Sequence, residues 1–281
     1  MKKIHYIFYV LFILILPLSA YARKKSPSLS EKQLQSILDK AKQETARGSY
    51  DNALALLINY RKSTSRKPTH PVFSFYVIES IGRIYLRIKQ DPDSAIIFFT
   101  DALNDRNLSD TEFDMIRAWL GRSKEWKELN IFPKNIKDPT MLFSLGKKYY
   151  DQGIKLQKYT MDLSASADFS MASNYLTPFT IQYDKDPNIG EALYMLGEIR
   201  RRSWHKNDYW VENFYLTEVI RRFPNTELAS RAYQALYEDV HYGYTGSSGD
   251  HTPTSWIELL KEFEALSKVA KPASFETIKP E

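Results

Sequence analysis

The sequence contains no cysteine and little glycine. Without cysteine, the 281-residue chain can form no disulfide, no thiolate metal site and no cysteine nucleophile. Only 10 glycines argue against a loop-rich or all-β chain. Stability must therefore come from burial of apolar side chains, and the 43% share of apolar residues is ordinary for a globular protein.

The chain also lacks a strong excess of either charge. Its formal net charge is +5, and removing Lys2 and Lys3 from the 39 basic residues would leave 37 against 34 acidic ones, or +3. Nucleic-acid binding usually requires a clustered basic face, so we expect no nucleic-acid partner. The sequence also has no phosphate-binding glycine loop and no Gly-x-Ser-x-Gly elbow. We therefore predict no catalytic residues, no cofactor and no metal.

The first 22 residues have the pattern of a secretory signal peptide. Lys2 and Lys3 precede an apolar run over residues 7–16, Pro17 ends the run, and small residues at Ala20 and Ala22 suit a cleavage site. The run is shorter than the ~20 residues of a membrane-spanning helix. We expect cleavage after Ala22 and a periplasmic or otherwise exported protein, with an uncleaved anchor as the alternative.

Apolar residues recur at helical spacing through most of the remaining chain, which predicts an all-α fold. Ser30 is a suitable N-cap for a first helix, and Gly48 a suitable end. We predict a linker over residues 23–30 and helical repeats over 31–120. A connector over 121–138 would follow, then further repeats with a capping helix over 139–270 and a frayed tail over 271–281.

Two kinds of repeated pattern carry a family resemblance. A Leu-Gly step on an apolar stripe occurs at Gly146 and again at Gly197, and Phe223-Pro224-Asn225-Thr226 precedes an alanine-rich helix. Five further positions, on two helices, follow the order Gly82, Tyr85, Ala95, Phe99 and Ala102. The chain thereby resembles tetratricopeptide (TPR) repeat proteins of the bacterial envelope. It is distantly similar to the outer-membrane β-barrel assembly TPR lipoprotein, whose lipidated cysteine it lacks, and to the cell-division coordinator family.

This resemblance implies a right-handed α-solenoid of helical hairpins closed by a C-terminal capping helix. It also implies a concave groove, lined by the first helices of successive repeats, that holds a protein or peptide partner. Aligned on the glycines, the candidate groove residues are Tyr76, Glu79 and Arg83, then Phe143, Lys147 and Tyr150, then Tyr194, Glu198 and Arg201. We expect a non-enzymatic scaffold in an envelope or cell-surface complex that contacts the membrane only indirectly.

Three alternatives remain open. The loop over residues 241–253 could supply metal ligands for a binder or an enzyme, from Asp239, His241, Asp250 and His251. The basic cluster from Arg200 to Lys206 could bind an anion or an acidic peptide, although positive charge is also favourable at any helix C-terminus. The chain could also be a self-assembling structural element.

Overall fold

The computed structural model describes residues 29–64, 71–159, 162–203, 214–247 and 249–268. This part of the chain is all-α, as predicted, and its one sheet is a short hairpin of β1 (Thr245–Gly246) and β2 (Gly249–Asp250). The helices are α1 (Glu31–Ala46), α2 (Tyr50–Thr64), α3 (Pro71–Arg83), α4 (Pro92–Ala102), α5 (Asp110–Leu129), α6 (Pro139–Leu156), α7 (Ser166–Gln182), α8 (Ile189–Arg202), α9 (Phe214–Arg222), α10 (Glu227–Tyr244) and α11 (Thr254–Ser267).

Neither the proposed signal peptide nor the proposed tail over 271–281 falls within the described residues. Among the helices that are described, none is both long enough and apolar enough to cross a membrane. The buried apolar side chains form one continuous cluster that extends from Leu38 in α1 to Phe263 in α11. The helices therefore share a core along the described chain.

Local capping signals explain where several helices begin and end. Ser30 and Gln33 form a reciprocal capping box at the start of α1, and Asp91 caps α4 with Pro92 in its first turn. Gly48 has a φ of +76°, a conformation that glycine adopts without the steric cost of a side chain. The predicted cap at Ser30 and the predicted stop at Gly48 are confirmed.

A π-helical segment, Ile84–Lys89, follows α3 directly. It ends at Gln90, whose φ of 50° is left-handed, and the amide of Asp91 closes the turn by donating to the Tyr85 carbonyl at 2.9 Å. Such wide turns are rare and occur often at functional sites. The helical periodicity of the sequence did not predict this segment.

The two Leu-Gly steps have the same packing environment in two different hairpins. A Cβ atom built on Gly146 of α6 would lie 2.6 Å from Leu176 of α7, and one built on Gly197 of α8 would lie 2.6 Å from Leu216 of α9. In both cases the leucine amide nitrogen would be 3.4 Å away. Glycine is thus the residue that lets each pair of helices approach this closely.

The predicted end of the N-terminal helical repeats at residue 120 is wrong, because α5 continues to Leu129. The additional turns carry Ser123 and Trp126, which are fully buried, so the inward face of the helix does not stop at Gly121. Trp126 donates from its indole nitrogen to the Tyr175 hydroxyl at 2.6 Å, which fixes α5 against α7. The connector predicted over 121–138 is therefore confined to residues 130–138 and includes one short 3-10 turn.

Candidate functional site

The first predicted groove triplet lies on α3, but it does not face an open groove as a unit. Tyr76 is half-buried, with Lys42 Nζ 5.3 Å from the centre of its ring. Glu79 is only 5% exposed. Glu79 and Arg83 both line a cavity of about 60 Å³ between α3, α7, α8 and α9. Their side chains therefore line a partly open cavity rather than a continuous exposed surface.

This cavity, which we call the arginine cavity, is defined by Arg83, Arg87 and Arg200. Arg87 comes from the π-helical segment and Arg200 from the last turn of α8. The Arg200 guanidinium lies 5.7 Å from the centre of the Tyr215 ring. Burial, together with the charges of Arg83 and Arg200, lowers the pKa of Arg87 to about 10. Sequence reasoning had placed Arg83 and Arg200 in separate candidate sites and had missed Arg87.

In the basic cluster on α8, Arg201 and Arg202 form ion pairs within the protein. Glu198 is 3% exposed and accepts hydrogen bonds from Arg201, at 2.8 and 3.2 Å, and from Arg202, at 3.0 Å. Burial lowers the pKa of Arg201, but its hydrogen bond to Glu198 and the charges of Glu198, Glu238 and Asp239 together raise the pKa by more. Glu198 and Arg201 were predicted as groove residues, but Glu198 pairs with both Arg201 and Arg202, and Arg201 also pairs with Glu238. Residues 204–206 of the cluster lie outside the described residues.

The second predicted triplet divides between core and surface. Phe143 packs against Phe179 with ring centroids 5.6 Å apart, so it contributes to the core. Lys147 is exposed and pairs with Asp151 at 2.8 Å one turn along α6. Tyr150 is half-buried. Burial raises its pKa most, and the nearby Glu198 charge raises it further.

Tyr150, Tyr194 and Arg231 form a shared surface, which we call the Tyr-Arg face. These residues belong to α6, α8 and α10, and each of these helices contacts the next. The Arg231 guanidinium lies 4.3 Å from the centre of the Tyr194 ring and pairs with Glu191 at 3.0 Å. Tyr194 and Arg231 also both influence the pKa of Tyr150, as neighbours do. Arg231 was missed because nothing within α10 distinguishes it from an ordinary surface arginine.

The loop predicted over residues 241–253 is wrong at its start, because α10 continues to Tyr244 and the β1–β2 hairpin follows, and this segment contains a hydrogen-bonded His–Asp pair. His241 Nδ1 lies 2.7 Å from Asp250 Oδ2, and the Thr252 hydroxyl and amide donate to Oδ1 at 2.6 and 2.9 Å. The Thr252 hydrogen bonds lower the pKa of Asp250 most, and His241 lowers it further. The backbone amide of His251 donates to the Tyr244 carbonyl. Across the described ranges, no three His, Asp or Glu side chains come together in a group that could hold a metal ion.

The nine predicted groove residues thus do not share one surface. Glu79 and Arg83 line the arginine cavity, and Tyr150 and Tyr194 belong to the Tyr-Arg face. The others pack in the core, pair internally or lie at separate surface positions. No family model, curated protein or solved structure matches this chain.

Proposed function

We propose that this protein is an exported, non-enzymatic scaffold that binds a protein or peptide partner on the Tyr-Arg face. The observation that supports the proposal is that α6 contacts α8 and α8 contacts α10, with Tyr150, Tyr194 and Arg231 as neighbours. Tyrosine and arginine are enriched among the residues that dominate binding energy at protein interfaces. Tyrosine also offers a large contact area while losing little side-chain entropy.

The matching environments of Gly146 and Gly197 support a repeat architecture for this scaffold. The α6/α7 and α8/α9 pairs each use a glycine to admit a leucine of the second helix at the same distance. Equivalent contacts in successive hairpins are what a right-handed solenoid of TPR-like repeats requires. In such a solenoid α6 and α8, the first helices of the two pairs, would line one inner surface together with α10, the helix that follows them. The capping helix would be α11.

The proposed binding surface is tested by capturing partners from the envelope of the source cell with the wild-type chain and with variants. We expect one stoichiometric partner, whose affinity falls about 30-fold on Tyr194→Ala or Arg231→Ala, the loss typical of a hot-spot residue. Phe113→Ala is the matched control, because Phe113 is an exposed aromatic residue on α5, far along the chain from this face. A partner that binds all four chains equally well would place the interface elsewhere, and repeated failure to recover any partner would contradict the scaffold proposal.

We further propose that residues 1–22 direct export and are removed. The charged start, the apolar run and the small residues at positions 20 and 22 support this proposal. Expression in the source cell followed by fractionation and N-terminal sequencing should recover a chain that begins at Arg23. An intact N-terminus in the membrane fraction would instead identify an uncleaved anchor.

A further inference from the structure

The arginine cavity joins basic side chains from distant parts of the chain. Arg83 and Arg87 lie on consecutive turns at the end of α3 and in the π-helical segment, and Arg200 lies in the last turn of α8. The amide of Asn174 in α7 supports the π-helical segment by donating to the Leu86 carbonyl at 3.2 Å. This hydrogen bond therefore holds the π-helical segment that carries Arg87, one of the three cavity arginines.

Among the described residues that line the cavity, the charges do not balance. Glu79 is the one carboxylate among the described lining residues, against three guanidinium groups. At Arg87, burial lowers the pKa most, and the charges of Arg83 and Arg200 lower it further. Like charges gathered away from water are costly unless an opposite charge compensates them. The described part of the cavity therefore favours a bound anion.

Ser170 supplies an independent sign that the cavity accepts a ligand. Its side chain lines the cavity and is only 7% exposed, and its hydroxyl has no hydrogen-bond partner among the described residues. The neighbouring hydroxyls of Ser173 and Ser203 instead donate to the carbonyls of Phe169 and Ile199 within their own helices. Ser170 is thus a buried donor at the cavity wall whose hydrogen-bonding capacity is unused.

The volume of the cavity matches a small tetrahedral anion. Its 60 Å³ can hold roughly four to six water-sized atoms, since each needs about 10–15 Å³. A phosphate group has a comparable number of heavy atoms, and its oxygens accept paired hydrogen bonds from guanidinium groups. We propose that the arginine cavity binds a phosphate group, held by Arg83, Arg87 and Arg200 with the Ser170 hydroxyl as an additional donor. This inference is independent of the partner proposed above.

The proposal is tested by thermal unfolding and calorimetry of the full chain with inorganic phosphate, against sodium chloride at equal ionic strength. At about 100 times its Kd, phosphate should raise the Tm by about 5 °C. Arg87→Gln should raise the Tm without phosphate, because it removes a buried like charge, and should weaken phosphate binding about tenfold or more. Arg117→Gln is the matched control, since it removes an equal charge from a side chain that is 64% exposed, and it should leave phosphate binding unchanged.

A pair of serine variants separates ligand binding from folding. Ser170→Ala should not lower the Tm without phosphate, because the hydroxyl has no partner to lose, but it should weaken phosphate binding about fivefold to tenfold. Ser173→Ala should instead lower the Tm without phosphate and leave phosphate binding unchanged, because the Ser173 hydroxyl donates to the Phe169 carbonyl. If both variants bind phosphate as the wild type does, the Ser170 contact is wrong.

Two further ligands define the class and the source of the anion. Acetate should bind at least tenfold more weakly than phosphate, because a planar carboxylate offers fewer acceptors to the three guanidinium groups. Equal affinity for acetate would overturn the preference for phosphate. Comparable binding of glycerol 3-phosphate would identify a phosphomonoester, and binding of inorganic phosphate alone would identify the free ion. A phosphate response no larger than that to chloride, or one equally large in Arg87→Gln, would overturn the proposal.

Discussion

Asn174 in α7 donates a hydrogen bond from Nδ2 to the main-chain carbonyl of Leu86, 3.2 Å away and 88 residues earlier in the chain. Both residues are buried, and Leu86 lies within the π-helical segment that carries Arg87. The contact links the middle of the fold to the segment that shapes the arginine cavity. The side-chain amide thereby satisfies a buried backbone acceptor.

Asn174→Ala should destabilise the protein by about 1–3 kcal/mol, because the Leu86 carbonyl would remain buried without its donor. It should also weaken phosphate binding through the altered position of Arg87. Asn104→Ala is the matched control, since the exposed Asn104 amide donates to the Thr100 carbonyl at 3.3 Å, and it should cost under about 0.5 kcal/mol. Urea unfolding measures both costs, and equal effects would show that the Asn174 contact has no special structural role.

Gly146→Ala and Gly197→Ala should each destabilise the protein by about 1–3 kcal/mol through overpacking. In both variants the new Cβ would lie about 2.6 Å from a buried leucine, so the leucine side chain or the two helices must shift. Similar costs at the two positions are expected if the hairpins are structural repeats. Urea unfolding of the two variants beside wild type measures these costs.

For Gly121→Ala we expect the opposite effect, a gain in stability, in the same urea unfolding experiment. Gly121 is also in a helix interior, but no atom lies within 4 Å of the position that an alanine methyl group would occupy there. Alanine at this position should stabilise the protein by about 0.5–1 kcal/mol, because glycine loses more backbone entropy on folding. A stabilising change at Gly146 or Gly197 would contradict the close helix approach.

Helix starts were predictable from the sequence because capping is local. Ser30 accepts from the amide of Gln33, only three residues away, so a short window contains the whole signal. The end of α5 was not predictable in this way. Trp126 is buried there and donates a hydrogen bond to Tyr175, 49 residues further on. No sequence pattern near Gly121 indicates that partner.

The candidate site was predictable only in part, for the same physical reason. Local sequence patterns indicated both arginines: Arg83 by its position on a helix face and Arg200 by its place in a basic cluster. Their meeting depends on how α3, α7 and α8 pack, and Arg87 joins them through a π-helical segment that helical periodicity does not reveal. Glu198 and Arg201 were predicted as groove residues on the same local grounds, but they form an ion pair with each other one turn apart.

Asp168→Asn should stabilise the protein at neutral pH. Asp168 is 1% exposed, and its Oδ1 lies 3.4 Å from Arg122 Nε without making a hydrogen bond. Burial raises its pKa by more than the Arg122 charge lowers it. The contribution of such a carboxyl to stability is complete below its unfolded pKa of about 3.8 and is lost as pH rises through the folded value. The urea midpoint of the variant should therefore exceed that of wild type at pH 7 and match it at pH 3.

The exposed Asp114 of α5 is the control for this change, since Asp114→Asn should leave the midpoint unchanged at both pH values. A lower midpoint for Asp168→Asn at pH 7 would show that attraction to Arg122 outweighs the cost of burial.

Glu112 should have the opposite pH dependence. Its carboxylate accepts from the Ser109 amide and hydroxyl at 2.9 and 2.8 Å and from the Ser74 hydroxyl, and it lies 3.9 Å from Arg61. Although burial raises its pKa, the hydrogen bonds from Ser74 and Ser109 and the Arg61 charge lower it by more. Its contribution to stability is complete above its unfolded pKa of about 4.5 and is lost as pH falls through the folded value.

Glu112→Gln should therefore lower stability by about 1–3 kcal/mol at pH 7, where the charged acceptor is lost, and the difference from wild type should shrink as the pH falls below about 4. Urea midpoints measured from pH 7 to pH 3 test both parts. Glu128→Gln is the matched control, because Glu128 is an exposed residue on the same helix, and it should follow the wild-type curve throughout. If wild type and Glu112→Gln lose stability in parallel down to pH 3, the folded pKa of Glu112 is not lowered, and the hydrogen bonds to Ser74 and Ser109 do not outweigh burial.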